Sequence, residues 1–297
     1  MQMKPIVLIP SLLIFIFLTI NYQAILGLLG AKMETWRLRE SARRTVMPDN
    51  PPDATEPFEN TLSDVWETRV INGSGIVSSG PEFSSGKFEV KDGSLVFYLH
   101  KDPDFEEKPT SKRYNNVSLI GFRGYSPGPN RDIVARTTMQ ADPGFFGTAG
   151  MVFEPVHTLQ QDGSFRPNAP FNMFGASIIG PESEVYGHSG AVCSLAVNWW
   201  PSASSLGDIN IYEPHTYEVR LKWLTERSWL GIVSVDGTER CQMELPPFGP
   251  VELQIWSDGY WLSTSPWWKL HTPRLGLQNG EKVFRFDAVE VRTEYHP

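Results

Sequence analysis

From Val65 onward, apolar residues in this chain recur at every second position, and clusters of Gly, Pro, Asn and Asp break the pattern about every ten residues. The run Thr216–Trp223 shows this best. Tyr217, Val219, Leu221 and Trp223 share one parity, and Glu218, Arg220 and Lys222 share the other. Successive strand residues point to opposite faces, so this run reads as a strand with one buried and one wet face. Trp229–Val235, Asp236-Gly237 and Thr238–Leu245 read as a hairpin, because Gly accepts the positive φ of a two-residue turn. The same reasoning predicts strands at Lys87–Lys91, Ser94–Leu99, Val117–Phe122, Asp132–Gln140, Gly147–Phe153, Asn172–Ile178, Ala191–Asn198, Val251–Trp256 and Val283–Val291. In the last, Phe284 and Phe286 share one parity while Val289 and Val291 share the other, which predicts a bulge near Asp287. After residue 60 no stretch holds a helical period over three turns, and there is no internal repeat. The prediction is an all-β fold, a jelly-roll or β-sandwich of antiparallel strands, preceded by one N-terminal transmembrane helix.

That helix is read from Pro5 to Ala31, a run without a charged side chain, rich in Ile, Leu, Val and Phe. At 1.5 Å per residue it is long enough for the roughly 30 Å hydrocarbon layer of a bilayer. The rival reading is a signal peptide with an apolar core at Ile6–Ile20 and a cleavage site near Leu29-Gly30-Ala31. Residues 1–31 are therefore the anchor or signal peptide, 32–60 a juxtamembrane stalk and Pro-rich linker, and 61–297 the folded domain. Within the stalk, Glu34–Arg44 can also be read as a short amphipathic helix on headgroups. Lys32, Arg37, Arg39, Arg43 and Arg44 follow the span, which favours a cytoplasmic body. Two sequons, at Asn72 and Asn116, favour the lumenal or extracellular side, which is slightly preferred.

The net charge of −8 disfavours a phosphate backbone as partner, so no nucleic acid is expected. With only 2 cysteines, a Cys-rich zinc module is excluded; Cys193 and Cys241 pair if the body is extracytoplasmic, or stay as buried thiols if it is not. The histidines form no zinc motif, no nucleophile elbow or dinucleotide fingerprint occurs, and neither metal nor cofactor is expected. Asp92-Gly93 and Asp102-Pro103-Asp104 carry oxygens suited to calcium but read more simply as turn carboxylates.

Glu213-Pro-His-Thr-Tyr-Glu-Val-Arg-Leu-Lys-Trp223 followed by Ile232-Val-Ser-Val-Asp-Gly237 resembles the "FHTY…EW…VDG" segment of family-sixteen glycoside hydrolases. These are laminarinase-like members of the concanavalin A-like lectin/glucanase superfamily. Asp132–Met139 and Phe146–Phe153 are similar to an upstream strand pair of that family, and Pro247–Trp256 and Phe286–Arg292 to its closing strands. The resemblance implies a concanavalin A-like sandwich over residues 61–297 and a structural role for His215. The family's catalytic signature, Glu-x-Asp-x-x-Glu on one strand, is absent. It works because alternate residues of a strand face one cleft, placing two carboxylates about 5 Å apart around the glycosidic bond. Glu182 and Glu184 are the nearest candidates, although Gly187 stands where the acid/base belongs.

Eight of the 10 tryptophans fall between positions 199 and 268. Trp223, Trp229 and Trp256 sit in expected strands and read as core. The doublets Trp199-Trp200, Tyr260-Trp261 and Trp267-Trp268 each leave one ring off the core, where indoles stack on sugars or apolar ligands. Asn198, Asp258 and His271 lie close to them in sequence and supply hydrogen bonds. The leading expectation is a membrane-tethered, non-catalytic sandwich that binds a glycan through this aromatic face. One alternative is a divergent glycoside hydrolase with relocated carboxylates. The other is a small-molecule-binding cyclase or accessory protein of a membrane-associated biosynthetic pathway, whose ligand is apolar.

Overall fold

The computed structural model describes residues 8–42, 49–71, 77–78, 87–99, 116–145, 147–156, 158–159, 164–166, 172–181, 188–198, 200–258, 261–263, 269–271 and 282–297. Helix α1 spans Leu8–Ala42, with side chains described from Ile25. The first strands are β1 (Ala54–Glu56), β2 (Glu67–Ile71), β3 (Val77–Ser78), β4 (Lys87–Lys91) and β5 (Ser94–Leu99). Next come β6 (Asn116–Tyr125), β7 (Arg131–Ala141), β8 (Thr148–Pro155), β9 (Thr158–Leu159), β10 (Ser164–Arg166), β11 (Met173–Ile179), β12 (Gly190–Val197) and β13 (Trp200–Ser205). The last are β14 (His215–Thr225), β15 (Ser228–Val235), β16 (Thr238–Leu245), β17 (Val251–Asp258), β18 (Trp261–Ser263), β19 (Lys269–His271) and β20 (Lys282–Tyr295).

These strands build an antiparallel jelly-roll sandwich. The long sheet runs β13-β12-β11-β8-β17-β6-β2-β3-β10-β9, and the short sheet β16-β15-β14-β7-β20-β5-β4, while β18 and β19 pair separately. The chain passes between sheets repeatedly, so the sequence-distant strands β8 and β17 lie side by side at the centre of the long sheet. Alternation decides what faces inward. Met151 and Phe153 of β8, Phe174 and Ile178 of β11, and Leu253 and Ile255 of β17 meet Tyr217, Val219 and Leu221 of β14 in one core. Gly231 of β15 lets the Phe174 ring cross the sandwich, since a Cβ there would stand 2.4 Å from its Cε1.

The expected hairpin forms at Asp236-Gly237, with φ of 50 and 77°, and the expected turn at Asp92-Gly93 closes a second one with φ of 53 and 77°, the twisted turn that suits paired strands. The expected bulge lies in β20, where the register with β7 shifts between Asp287 and Glu290. It turns both Phe286 and Val289 inward despite their unlike parity.

Within the stretch expected as stalk and linker, the described residues 32–42 and 49–60 include several packed against the body. Helix α1 continues to Ala42, and Ala31, Glu34 and Leu38 on it are buried. Strand β1 then pairs with β20 at Val289–Val291, beyond the last β5 pairing at Asp287, and so closes an edge that would otherwise be open. Tyr125 donates to the Pro52 carbonyl at 2.6 Å, and Phe58 is fully buried, so the packed domain begins before Thr61. Burial, with Asp53 nearby, pushes the Tyr125 hydroxyl up to about 12. Among the described residues no helix is long and apolar enough to cross a membrane; most of the charge-free run from Pro5 lies where side chains are not described.

Candidate functional site

The outer face of the long sheet carries the alternate residues that do not enter the core. Two rows cross its centre. One follows the register Gln254, Val152, Gly175, Ser194 and Ala203, and the next follows Trp256, Gly150, Ser177, Val192 and Ser205. Neither row holds an ionisable side chain. Ser194 donates to Ser177 at 2.8 Å, and Gln254 Nε2 donates to Ser118 Oγ of β6 at 3.0 Å. Trp256 donates its Nε1–H to Thr148 Oγ1 at 3.2 Å and lies against Gly150, where a Cβ would stand 2.8 Å from the ring. Val152, Val192 and Ile120 are fully buried although they point away from the core cluster. The centre of this face is thus covered, neutral and internally satisfied.

Charge appears at the end of the face near α1. Glu154 of β8 and Glu252 of β17 are register partners, and both are fully buried. Arg123 approaches Glu252 at 2.8 Å through Nε and grips Glu67 with both terminal nitrogens at 2.9 and 2.8 Å. Burial works against the Arg123 charge, yet hydrogen bonds to Glu67 and the charge of Glu252 outweigh it and hold the guanidinium protonated more firmly than usual. No sequence spacing announces this pair of carboxylates, because 98 positions separate residues that only the β8–β17 pairing brings together.

Of the expected binding residues, the structure describes Asn198 with its side chain and the backbone of Trp200, Asp258, Trp261 and His271. Asn198 has a φ of 52°, donates its backbone N–H to Asn172 at 3.0 Å and packs against Gly30 of α1, so it serves the seat of the helix. Trp200 opens β13 opposite Val197, whereas Asp258 closes β17 in the row of Thr148, Ile179 and Gly190. From Gly190 to Val197 is ~23 Å of strand, so the two groups mark opposite ends of the sheet. Trp261 and His271 are register partners in the β18–β19 pair. The side chains of Trp200, Asp258, Trp261, His271 and Asn116 lie outside the described residues, as do Glu182, Glu184, Trp199, Tyr260, Trp267, Trp268 and Asn72 altogether. Of the tryptophans read as core, Trp229 and Trp256 are buried and Trp223 partly so.

Cys193 and Cys241 form a disulfide. His215 Nδ1 stands 2.7 Å from Asp236 Oδ2, whose other oxygen accepts the Thr216 N–H at 2.9 Å. The His215 hydrogen bond and then that of Thr216 hold the Asp236 carboxyl below the usual range. This ties the hairpin to the start of β14. Asp92 sits in a hairpin turn, Asp102 and Asp104 lie outside the described residues, and no group of three metal-ligating side chains occurs among the described ones.

No protein-family model matches the chain, and no curated protein matches it significantly in sequence. Solved structures do match. A lichenase (β-1,3-1,4-glucanase) from a mouse hindgut metagenome superposes with a TM-score of 0.50 at 15% identity, over 82% of this chain and 99% of that one. The endo-β-1,3-glucanase of Pyrococcus furiosus gives 0.52 at 12% identity, over 82% and 93%. A structure from a study of endo-acting O-glycanases of human gut microbiota, which initiate mucin breakdown, gives 0.52 at 14%, over 80% and 98%. Strand β11 follows β8 and precedes β14, and its outward positions are Met173, Gly175, Ser177 and Ile179. The chain therefore shares the antiparallel jelly-roll fold of these β-glucanases, with no carboxylate at the outward positions of β11.

Proposed function

We propose that this protein is a membrane-tethered, non-hydrolytic jelly roll that binds a glycan on the outer face of its long sheet. The observation that carries the reading is the chemistry of β11: Gly175 and Ser177, not carboxylates, occupy its outward positions, whereas retaining hydrolysis needs two carboxylates about 5 Å apart across one cleft. A neutral floor of hydroxyl, amide and indole groups suits an uncharged sugar, and the fold is one whose solved examples include enzymes acting on β-glucans. The charge-free run Pro5–Ala31 supplies the tether. The Cys193–Cys241 disulfide supports a lumenal or extracellular body, since such bonds persist in oxidising compartments.

A second reading is favoured by one observation. Val152, Val192 and Ile120 are fully buried beneath cover, and the serines among them already bond one another. Such a surface suits a small apolar molecule, as in an accessory protein or cyclase of a membrane-associated pathway. Retention of the full chain on insoluble β-glucan, compared with Trp200→Ala and Trp261→Ala, separates the two. The glycan reading expects retention that either change weakens. A protein that passes through unretained, yet releases an apolar compound on denaturing extraction, replaces it with the second reading.

A further inference from the structure

Helix α1 has two faces of opposite character. On one, Glu34 accepts from Asn172 Nδ2 at 3.3 Å, and Ala31 and Leu38 are buried. Gly30 lies so near Asn198 that a Cβ there would stand 2.5 Å from its Nδ2. Arg39 pairs with Glu244 and Arg227 with Glu40, each at 3.0 Å. These partners come from the entry to β11, the turn after β12, the β14–β15 turn and the end of β16, which all lie at one end of the sandwich. Contacts to four separate places fix the direction of the helix relative to the body.

The other face is bare. Leu26, Leu29, Met33 and Trp36 are 48, 50, 68 and 68% exposed. At 100° per residue these four fall in one stripe about 80° wide, well away from the buried face. Lys32 and Arg37 border it. The stripe prolongs the charge-free run beyond Ala31 to Trp36, ~7.5 Å of helix, which is the depth of one headgroup layer.

We infer that this stripe is a lipid-contact surface that seats the body directly on a phospholipid bilayer. Leu26, Leu29, Met33 and Trp36 enter the interfacial layer, where an indole is at home, and Lys32 reaches the phosphates, while Arg37 is held by Glu34 through two hydrogen bonds of 2.6 Å. Because the helix is bonded to the long sheet through Gly30 and Glu34 on its opposite face, and to the short sheet through Arg39 and Glu40 beyond the end of the stripe, the sandwich is held at a set attitude to the membrane. The inference rests on the tethering proposed above.

The disulfide leaves no free thiol among the cysteines, so a single introduced cysteine is labelled uniquely. The full chain is reconstituted into phosphatidylcholine–phosphatidylserine vesicles as Leu29→Cys, Met33→Cys, Trp36→Cys and, as a control at the far hairpin, Thr238→Cys, each carrying a fluorescent label. Aqueous iodide is expected to quench the labels at 29, 33 and 36 several-fold less than the label at 238, and brominated lipid to quench only those three. If the protein floats with the vesicles but all four labels are quenched alike by iodide, the stripe does not touch lipid and the inference falls while the tether stands. Failure to float overturns both. Oxidation of Met33→Cys to a covalent dimer in near-complete yield shows a second copy on the stripe and also overturns the inference.

Discussion

Cys193 of β12 and Cys241 of β16 join the long sheet to the short one through a disulfide, with their Cα atoms 6.3 Å apart and 48 positions between them in sequence. The link ties together the strands next to and at the edge on the side where α1 docks. Closing a loop of this length in the unfolded chain stabilises the fold by about 2–4 kcal/mol. Replacing both cysteines with alanine is expected to lower stability by that amount and to remove the effect of reductant on urea denaturation. Equal stability of the two forms would contradict the cross-link.

Arg123→Met is expected to destabilise the protein by about 3 kcal/mol, because it strips the guanidinium from a fully buried Glu252. Glu67→Gln on the partly exposed side of the same cation should cost less than about 1 kcal/mol. Urea midpoints of the two variants check the ranking.

Acid should weaken the short sheet first. Burial pushes Glu294 up, but hydrogen bonds from Arg220 and Arg292 outweigh it and leave the carboxyl below its ordinary 4.5. A carboxylate with a lowered folded pKa stabilises at pH above its ordinary value, and that stability is lost as pH falls through the folded value. The denaturation midpoint is therefore expected to hold from neutral pH to about 4.5 and to drop below it. Arg220→Gln should lower the plateau and flatten the drop. Asp236→Asn, which keeps a residue tolerant of the positive φ, should flatten it slightly, since that side chain is 55% exposed.

Gly231→Ala places a methyl group against the Phe174 ring in a filled core. A loss of about 1–3 kcal/mol is expected. Phe174→Leu in the same chain should restore part of it, and thermal melts of the single and double variants decide.

The strands with the strongest alternation were legible in sequence to within a few residues, as β14 and β15 show, because one buried and one wetter face leave a period of two, while β5, buried along Leu95–Leu99, was legible as a short apolar run between turns. The bulge in β20 was legible for the same reason, as a change of parity between Phe286 and Val289. Strands β1 and β13 were not. Ala54–Glu56 is too short and polar to alternate and is a strand only because β20 offers an open edge, and Trp200–Ser205, Trp-Pro-Ser-Ala-Ser-Ser, carries no apolar alternation and is held by β12. The contacts of α1 with the body were not legible, because Arg39 and Glu40 look solvated until their partners Glu244 and Arg227 come within reach. The Glu154–Glu252 pair was hidden in the same way, being defined by register and not by spacing.

The proposed function is to hold a glycan without cleaving it, and the release of reducing ends from mixed-linkage and β-1,3-glucans by the purified full-length protein tests this. No release above a protein-free blank is expected, with retention on the same polymer intact. Steady release that Glu154→Gln, Glu252→Gln or Glu182→Gln abolishes would contradict it and identify a hydrolase with relocated carboxylates.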